Sequence, residues 1–203
     1  KDEHYVKNVT AAYRLALDAI IDDHEPLARA SSGRCRFEFT PDPSRSLSRG
    51  ATDFFLTTPR NRVAEIRTPK SIGQEIGHVQ TVETRSFTLA AGATIHNGDG
   101  LCFFNRHNEL IGLRVNRVEG RTVYPKDRIA HLGLSAGMVI YRNLDVDFNK
   151  QLDQSTLCRT ITVSMTLVEN MDGLILELID EDNIVSSTAI RFSKEKATKA
   201  GTT

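Results

Sequence analysis

The sequence predicts a mainly β protein that contains an N-terminal helix, an antiparallel β-barrel and a smaller C-terminal β-meander. Residues 72–143 consist of short apolar runs separated by Gly- and Asn-centred turns, with no helix-length periodic segment between them. Leu157–Val168 alternates apolar and polar residues, and further apolar runs follow at Leu174–Ile179 and Ile184–Ile190. Helical spacing is clear at His4–Asp22. Short strands spaced by turns are typical of a closed barrel, although the pattern alone also permits a sandwich.

The predicted helix carries one apolar stripe, whose members recur every three or four residues: Val6, Val9, Tyr13, Leu17 and Ile20. Asp2 and Asn8 are candidate caps for the start of the helix. Such a stripe needs a surface to cover, and part of that surface lies in another domain if the chain is a fragment.

The central region shows the alternation of half-buried strands. Phe87 and Leu89 flank Thr88, while Leu113 and Val115 flank Arg114. Leu101–Phe104 is wholly apolar, so Cys102 within it is expected in the core. The Gly98-Asp99-Gly100 turn is predicted to be a hairpin whose glycines adopt positive φ.

The flanking segments give four further expectations. Cys35–Phe39 is predicted to be a strand, and the aromatic cluster Asp53–Leu56 is expected to pack against another surface. Asp145–Asp153 is interpreted as a polar linker. Asp172-Gly173 is interpreted as a tight hairpin turn. The predicted organisation is 1–71 helix and connector, 72–150 barrel, 151–194 small β-unit and 195–203 disordered tail.

Composition excludes few functions. Lys+Arg and Asp+Glu both number 26 among 203 residues, so net charge does not indicate a nucleic-acid partner, although a local basic face remains open. No apolar run is long enough to span a bilayer, which predicts no membrane partner. Three scattered cysteines favour free thiols in the cytoplasm. The first residue, Lys1, and the uncapped Lys-rich tail suggest an excised fragment.

No catalytic centre is predicted. The six histidines are scattered singly, and no cysteine has the local signature of a nucleophile. The carboxylate pairs lie in turns or linkers, where solvation keeps their behaviour ordinary. We therefore predict no catalytic residue, no metal site and no cofactor within this sequence.

One basic cluster is a candidate binding surface. Arg114, Arg117, Arg121, Lys126 and Arg128 crowd two adjacent barrel strands and their turn, and Arg142 with Asn143 lies on the closing strand. If several share a face, they form a patch that contacts phosphates or acidic groups. The same pattern also fits ordinary solvated barrel positions interleaved with Glu119 and Asp127.

Three groups of segments, taken in order, resemble the collagenase-like domain that follows the catalytic domain in peptidase family U-32. They are Phe39–Ser44 with Leu47–Leu56; Pro69–Gly73 with Gly77 and Asn97–Phe104; and Ile140–Asn143 with Asp145, Phe148 and Leu152. The barrel region is also similar to the second domain of translation elongation factors, which is an analogy of fold only.

The resemblance implies a β-rich accessory domain whose catalytic domain lies upstream of Lys1. Some relatives in that family act in RNA hydroxylation rather than proteolysis, so the expected macromolecular substrate is RNA or polypeptide. The residues predicted to contact it are Arg49, Arg114, Arg117, Arg142 and Asn143.

Two other classes of function stay open. One is a structural module that packs on the catalytic domain or forms an oligomer. The other is a free-standing peptidase, for which no set of nucleophile, base and orienting residue is available.

Overall fold

A computed structural model describes residues 2–50, 52, 54–56, 65–90 and 94–193. The predicted disordered tail, 195–203, lies outside the described residues, as does Asp53 of the predicted aromatic cluster. The chain divides into two compact units. Unit 1 comprises Lys1–Asp18 and Glu38–Ser155, and unit 2 comprises Ala19–Phe37 and Thr156–Thr203.

The centre of unit 1 is a closed six-stranded antiparallel barrel, which confirms the predicted fold class. Its strands are listed in chain order: β2 Gln74–Val82, β3 Phe87–Leu89, β4 Gly100–Phe104, β5 Leu110–Glu119, β6 Thr122–Pro125 and β7 Val139–Leu144. They pair in the order β2-β3-β6-β5-β4-β7, and β7 closes on β2. The alternating residues Phe87, Leu89, Leu113 and Val115 fill the interior as the pattern predicts. Closure leaves no unpaired edge on the barrel.

The prediction of a hairpin at Gly98–Gly100 is wrong. β3 pairs with β2 and β6, whereas β4 pairs with β5 and β7, so this turn connects two strands that do not pair. Gly98 has positive φ, as expected, but Gly100 does not. Gly100 is required for space instead, because a Cβ there would lie 2.8 Å from Asn143 Oδ1.

Residues 65–73 cover the outside of β4 and β7. Arg67 places its guanidinium 3.9 Å from the centroid of the Phe104 ring, and Cys102 Sγ donates to the Ile72 carbonyl at 3.4 Å. Cys102 is fully buried, as predicted, but it lies on the covered outer side of β4. The φ of Gly73 is +71°, and a Cβ there would meet the carbonyl oxygen of Arg142 at 1.9 Å.

Helix α1 runs Glu3–Asp23, one residue longer at each end than predicted. Asp2 Oδ1 accepts from the Tyr5 backbone N–H at 2.9 Å, so Asp2 caps the start. Asn8 lies within the helix and is buried with Ala11. The predicted apolar stripe is left largely exposed, with Val6 at 59% and Tyr13 at 68% exposure.

The predicted linker Asp145–Asp153 is instead helix α2, Val146–Gln154. Asp145 caps it, accepting from the Phe148 backbone N–H at 3.0 Å. Phe148 and Leu152, four residues apart, are buried on one side of the helix. The polar residues between them gave the segment its linker-like composition.

Unit 2 contains two small antiparallel sheets. β1 (Arg34–Phe37) pairs with β8 (Leu157–Thr160), and β9 (Val163–Asn170), β10 (Gly173–Asp180) and β11 (Val185–Arg191) form the predicted meander. The alternating run Leu157–Val168 is therefore two strands rather than one.

One face of the meander is apolar and open. The register sets Leu167 opposite Leu176 and Met165 opposite Leu178. Met165 and Leu167 are exposed, while the β10 leucines are half-buried.

The described residues of the predicted aromatic cluster lie at the surface. Phe54, Phe55 and Leu56 are exposed, and the ring centroids of Phe54 and Phe55 lie 5.7 Å apart. Packing of the cluster against another surface stays a prediction. Neither described helix combines the length and the apolar composition that a membrane span requires.

Candidate nucleic-acid interface

Strand β5 and the residue that follows β6 present three cations on the outside of the barrel. Leu113 and Val115 point inward, so Arg114 between them points outward, and a register shift between Val115 and Arg117 turns Arg117 outward as well. The Lys126 backbone N–H donates to the Arg114 carbonyl at 2.9 Å, which sets Lys126 beside Arg114. All three cations are exposed. We call Arg114, Arg117, Tyr124 and Lys126 the outer barrel face.

The aromatic ring on this face is held by its neighbours. Arg117 faces Tyr124 across the strands, with its guanidinium 4.3 Å from the ring centroid. Arg117 also pairs with Glu119 at 3.0 Å, and the Tyr124 hydroxyl donates to Glu119 at 3.1 Å. The hydrogen bond to Glu119 raises the pKa of Tyr124 above its ordinary value of 10.0, so the phenol remains a donor at neutral pH.

Arg142 does not share this face. Its side chain is only 5% exposed, and it donates to the Thr94 carbonyl at 2.9 Å and to Gln74 Oε1 at 3.0 Å. It pairs with Asp145 at 2.9 Å and with Asp99 at 3.6 Å. A buried cation needs such partners because it has lost its hydration.

The two carboxylates have further partners. Asp145 receives a second cation, Arg45, at 2.7 Å, and the Arg45 guanidinium lies 4.3 Å from the centroid of the Phe148 ring. Asp99 accepts from the backbone N–H groups of His96 and Val146, both at 3.0 Å. We call Arg45, Asp99, Arg142 and Asp145 the buried ion cluster. It joins β7, the start of α2 and the 3-10 turn Pro43–Arg45.

Sequence reasoning missed Arg45, Asp99 and Asp145 as members of this cluster. A signal for the burial of Arg142 was present, because it lies two residues after the core residue Ile140. Strand alternation therefore places both on the same side. For Asp145, the available signal was a capping residue before the Phe148/Leu152 spacing.

Within the part of the chain that the structure describes, two groups of residues have donor atoms close enough to hold a metal ion: His96, Asp99 and Asp145, and Glu3, His4 and Asp153. The first is occupied by the Arg142 guanidinium, whose charge repels a cation. The second lies at the surface, where His4 Nε2 contacts Asp153 Oδ1 at 2.6 Å. Neither arrangement indicates a metal centre.

Arg49 and Asn143 lie apart from the outer barrel face. Arg49 lines an open groove of about 920 Å³ between α1, the segment Pro43–Gly50 and the start of β2. Asn143 is exposed on β7. The five predicted contact residues thus fall in separate places, and only Arg114 and Arg117 lie together. Their contact with a substrate stays a prediction.

Burial raises the pKa of the Cys102 thiol to about 11. A thiol with a raised pKa remains protonated at neutral pH and is a poor nucleophile. Cys35 and Cys158 are also free thiols.

The chain is similar to "23S rRNA 5-hydroxycytidine C2501 synthase" of Escherichia coli strain K12, at 35% identity over 190 residues. The alignment covers 91% of this chain, and the chain spans only 29% of the relative's length. No protein-family model matches the chain. No solved structure matches it either.

The similarity to this relative corrects the peptidase assignment that the sequence resemblance implied. The relative is named for the synthesis of a modified nucleoside in rRNA and not for the cleavage of peptide bonds. The identification of the chain as part of a peptidase is therefore wrong, and its role as an accessory domain stays a prediction. What the comparison supports is similarity to part of an RNA-modifying protein.

Proposed function

We propose that this chain is a non-catalytic part of an RNA-modifying protein and binds structured RNA for a catalytic domain elsewhere in the polypeptide. The observation that carries the proposal is the outer barrel face, where Arg114, Arg117 and Lys126 lie together and exposed on a chain of zero net charge. A local group of cations attracts the phosphates of RNA, whatever the total charge.

The chemistry of the described residues favours positioning over catalysis. The buried thiol of Cys102 stays protonated, and the buried carboxylates are neutralised by Arg45 and Arg142. The name of the relative supports RNA as the substrate, and its greater length leaves room for a catalytic domain.

The test is the affinity of the chain for a structured rRNA fragment, measured by fluorescence anisotropy at about 50 mM and about 200 mM salt. Three phosphate contacts predict that affinity falls about 20- to 40-fold over this range. The double variant Arg114→Gln/Arg117→Gln retains one phosphate contact, so its affinity should fall only about 3- to 4-fold over the same range of salt.

A matched control removes the same charge elsewhere. Arg36 in β1 and Arg106 in the β4–β5 turn are both exposed, so Arg36→Gln/Arg106→Gln should retain the wild-type salt dependence. Absence of binding at low salt would overturn the proposal. So would equal loss of affinity in the two double variants.

A second candidate function is an interdomain module. Within unit 1, Val6, Tyr13 and Leu17 leave an apolar face of α1 exposed. Within unit 2, the apolar face of the meander that contains Met165 and Leu167 is also exposed. Apolar faces of this kind mark interaction sites, and the occupant we propose is the catalytic domain of the same polypeptide.

The test of this second candidate is hydrogen exchange in the complete polypeptide compared with that of this chain alone. Slower exchange of β9–β11 in the complete polypeptide would support it, whereas unchanged exchange there would count against it.

A further inference from the structure

A hollow of about 590 Å³ adjoins the outer barrel face. It is lined by Tyr124 and by the β2–β3 turn, Glu83, Thr84, Arg85 and Ser86. The turn is closed by the Glu83 N–H donating to the Ser86 carbonyl at 2.8 Å and by the Ser86 hydroxyl donating to Glu83 Oε2 at 3.1 Å. The hollow is shallow and open to solvent, so it suits one planar group lying against the surface rather than an enclosed ligand.

Tyr124 gives this hollow a fixed aromatic wall. The stacked Arg117 guanidinium and the hydroxyl bond to Glu119 both restrain the ring. Because the ring is already oriented, stacking of a further planar group costs little additional conformational entropy. Nucleobases stack on such rings in the recognition of unpaired RNA.

The two charged residues at the hollow, Arg85 and Glu83, are complementary to the phosphate and to the base of a nucleotide. Arg85 is exposed at the tip of the turn and attracts a phosphate. Glu83 is the carboxylate among the residues that line the hollow, and a carboxylate accepts a hydrogen bond from the amino group of a base. An aromatic ring, a cation and an acceptor together suit a nucleotide better than a simple anion or an apolar ligand.

We infer that the hollow between Tyr124 and the Glu83–Ser86 turn binds one unpaired nucleotide of an RNA whose paired region lies on the outer barrel face. This inference rests on the proposed function and adds to it that the chain recognises an unpaired position.

The experiment compares two RNAs that share one stem, one fully paired and one with a single-nucleotide bulge. The wild-type chain should bind the bulged RNA about tenfold more tightly, given the contribution of one stacked base. Tyr124→Phe keeps the ring and should retain this preference, whereas Tyr124→Leu should bind the bulged and the paired RNA with equal affinity. Circular dichroism would show that the variants are folded.

A second variant keeps the test independent of any change at Tyr124. Arg85→Gln alters an exposed turn residue and should reduce affinity for the bulged RNA several-fold more than affinity for the paired RNA. If the chain binds both RNAs equally, or if Tyr124→Leu keeps the preference, the inference is overturned although the proposed function stands. If neither RNA binds at low salt, both are overturned.

Discussion

Replacing Arg142 with Met tests the buried ion cluster. Met fills much of the same volume but cannot donate, so Asp99 and Asp145 each lose their contact with the Arg142 guanidinium, at 3.6 and 2.9 Å. Thr94 and Gln74 also lose a hydrogen-bond donor. The carboxylates are buried and cannot be rehydrated without opening this end of the barrel.

The expected loss is about 3 to 5 kcal/mol in the free energy of unfolding, because removal of one partner leaves a buried charge uncompensated. Asp145 keeps Arg45, and Asp99 keeps two backbone N–H donors, so the lower part of that range is expected. A loss of about 3 kcal/mol is a large share of the stability of an ordinary domain.

Urea unfolding followed by tyrosine fluorescence is the assay. The four tyrosines, Tyr5, Tyr13, Tyr124 and Tyr141, all belong to unit 1, and the chain has no tryptophan, so the signal reports on the unit that contains the cluster. Arg114→Met is the matched control, because it removes an exposed arginine from the same barrel and should change stability by less than about 0.5 kcal/mol. If Arg142→Met costs no more than Arg114→Met, the structural role of the cluster is refuted.

Three other changes have defined outcomes. Gly73→Ala should destabilise unit 1 by more than Gly120→Ala does, because a Cβ at Gly73 would lie 1.9 Å from the Arg142 carbonyl oxygen. Gly120 also has positive φ but faces open space, so it is the control. The urea midpoints of the two variants test this. Asn8→Ala should cost about 1 to 3 kcal/mol, since it removes buried hydrogen bonds with Asp42 and Ser46, and Thr10→Ala on the exposed side of α1 is the control. The Cys102 thiol has a pKa of about 11 against an ordinary 9.0, so its contribution to stability is complete below pH 9.0 and is lost as pH rises towards about 11. The urea midpoint should therefore change less between about pH 8 and about pH 10 in Cys102→Ala than in the wild type. An equal change in the two proteins would contradict the raised pKa of the Cys102 thiol.

The parts of the fold that follow from local pattern were predicted from the sequence. The spacing of apolar residues located α1 to within one residue at each end, and the alternation around Arg114 placed that side chain outside the barrel. Both results depend on the fixed periods of helices and strands, which sequence shows directly.

Other features depend on contacts between distant residues. Arg117 is two residues after the core residue Val115, so simple alternation would place it inside, and only the register shift against β6 turns it outward. Conversely, alternation from Ile140 would have placed Arg142 inside, but its charge made an exposed position the natural expectation. The partners that allow its burial, Asp99 and Asp145, come from the turn before β4 and from the cap of α2.

The candidate binding surface was predicted in part. The basic cluster was visible in the sequence, and Arg114, Arg117 and Lys126 are in fact neighbours. The hollow beside Tyr124 was not predicted, because it forms where the β2–β3 turn meets β6, and Glu83–Ser86 has the composition of an ordinary turn.

The most direct test of the central claim is to map where RNA touches the chain. A structured rRNA fragment that carries a photoreactive uridine would be cross-linked to the protein, and the linked peptides identified by mass spectrometry. We expect cross-links within β5 and β6, at Leu110–Glu119 and Thr122–Pro125, and their loss in Arg114→Gln/Arg117→Gln. Cross-links concentrated in α1 or in β9–β11, with none in β5 or β6, would contradict the account.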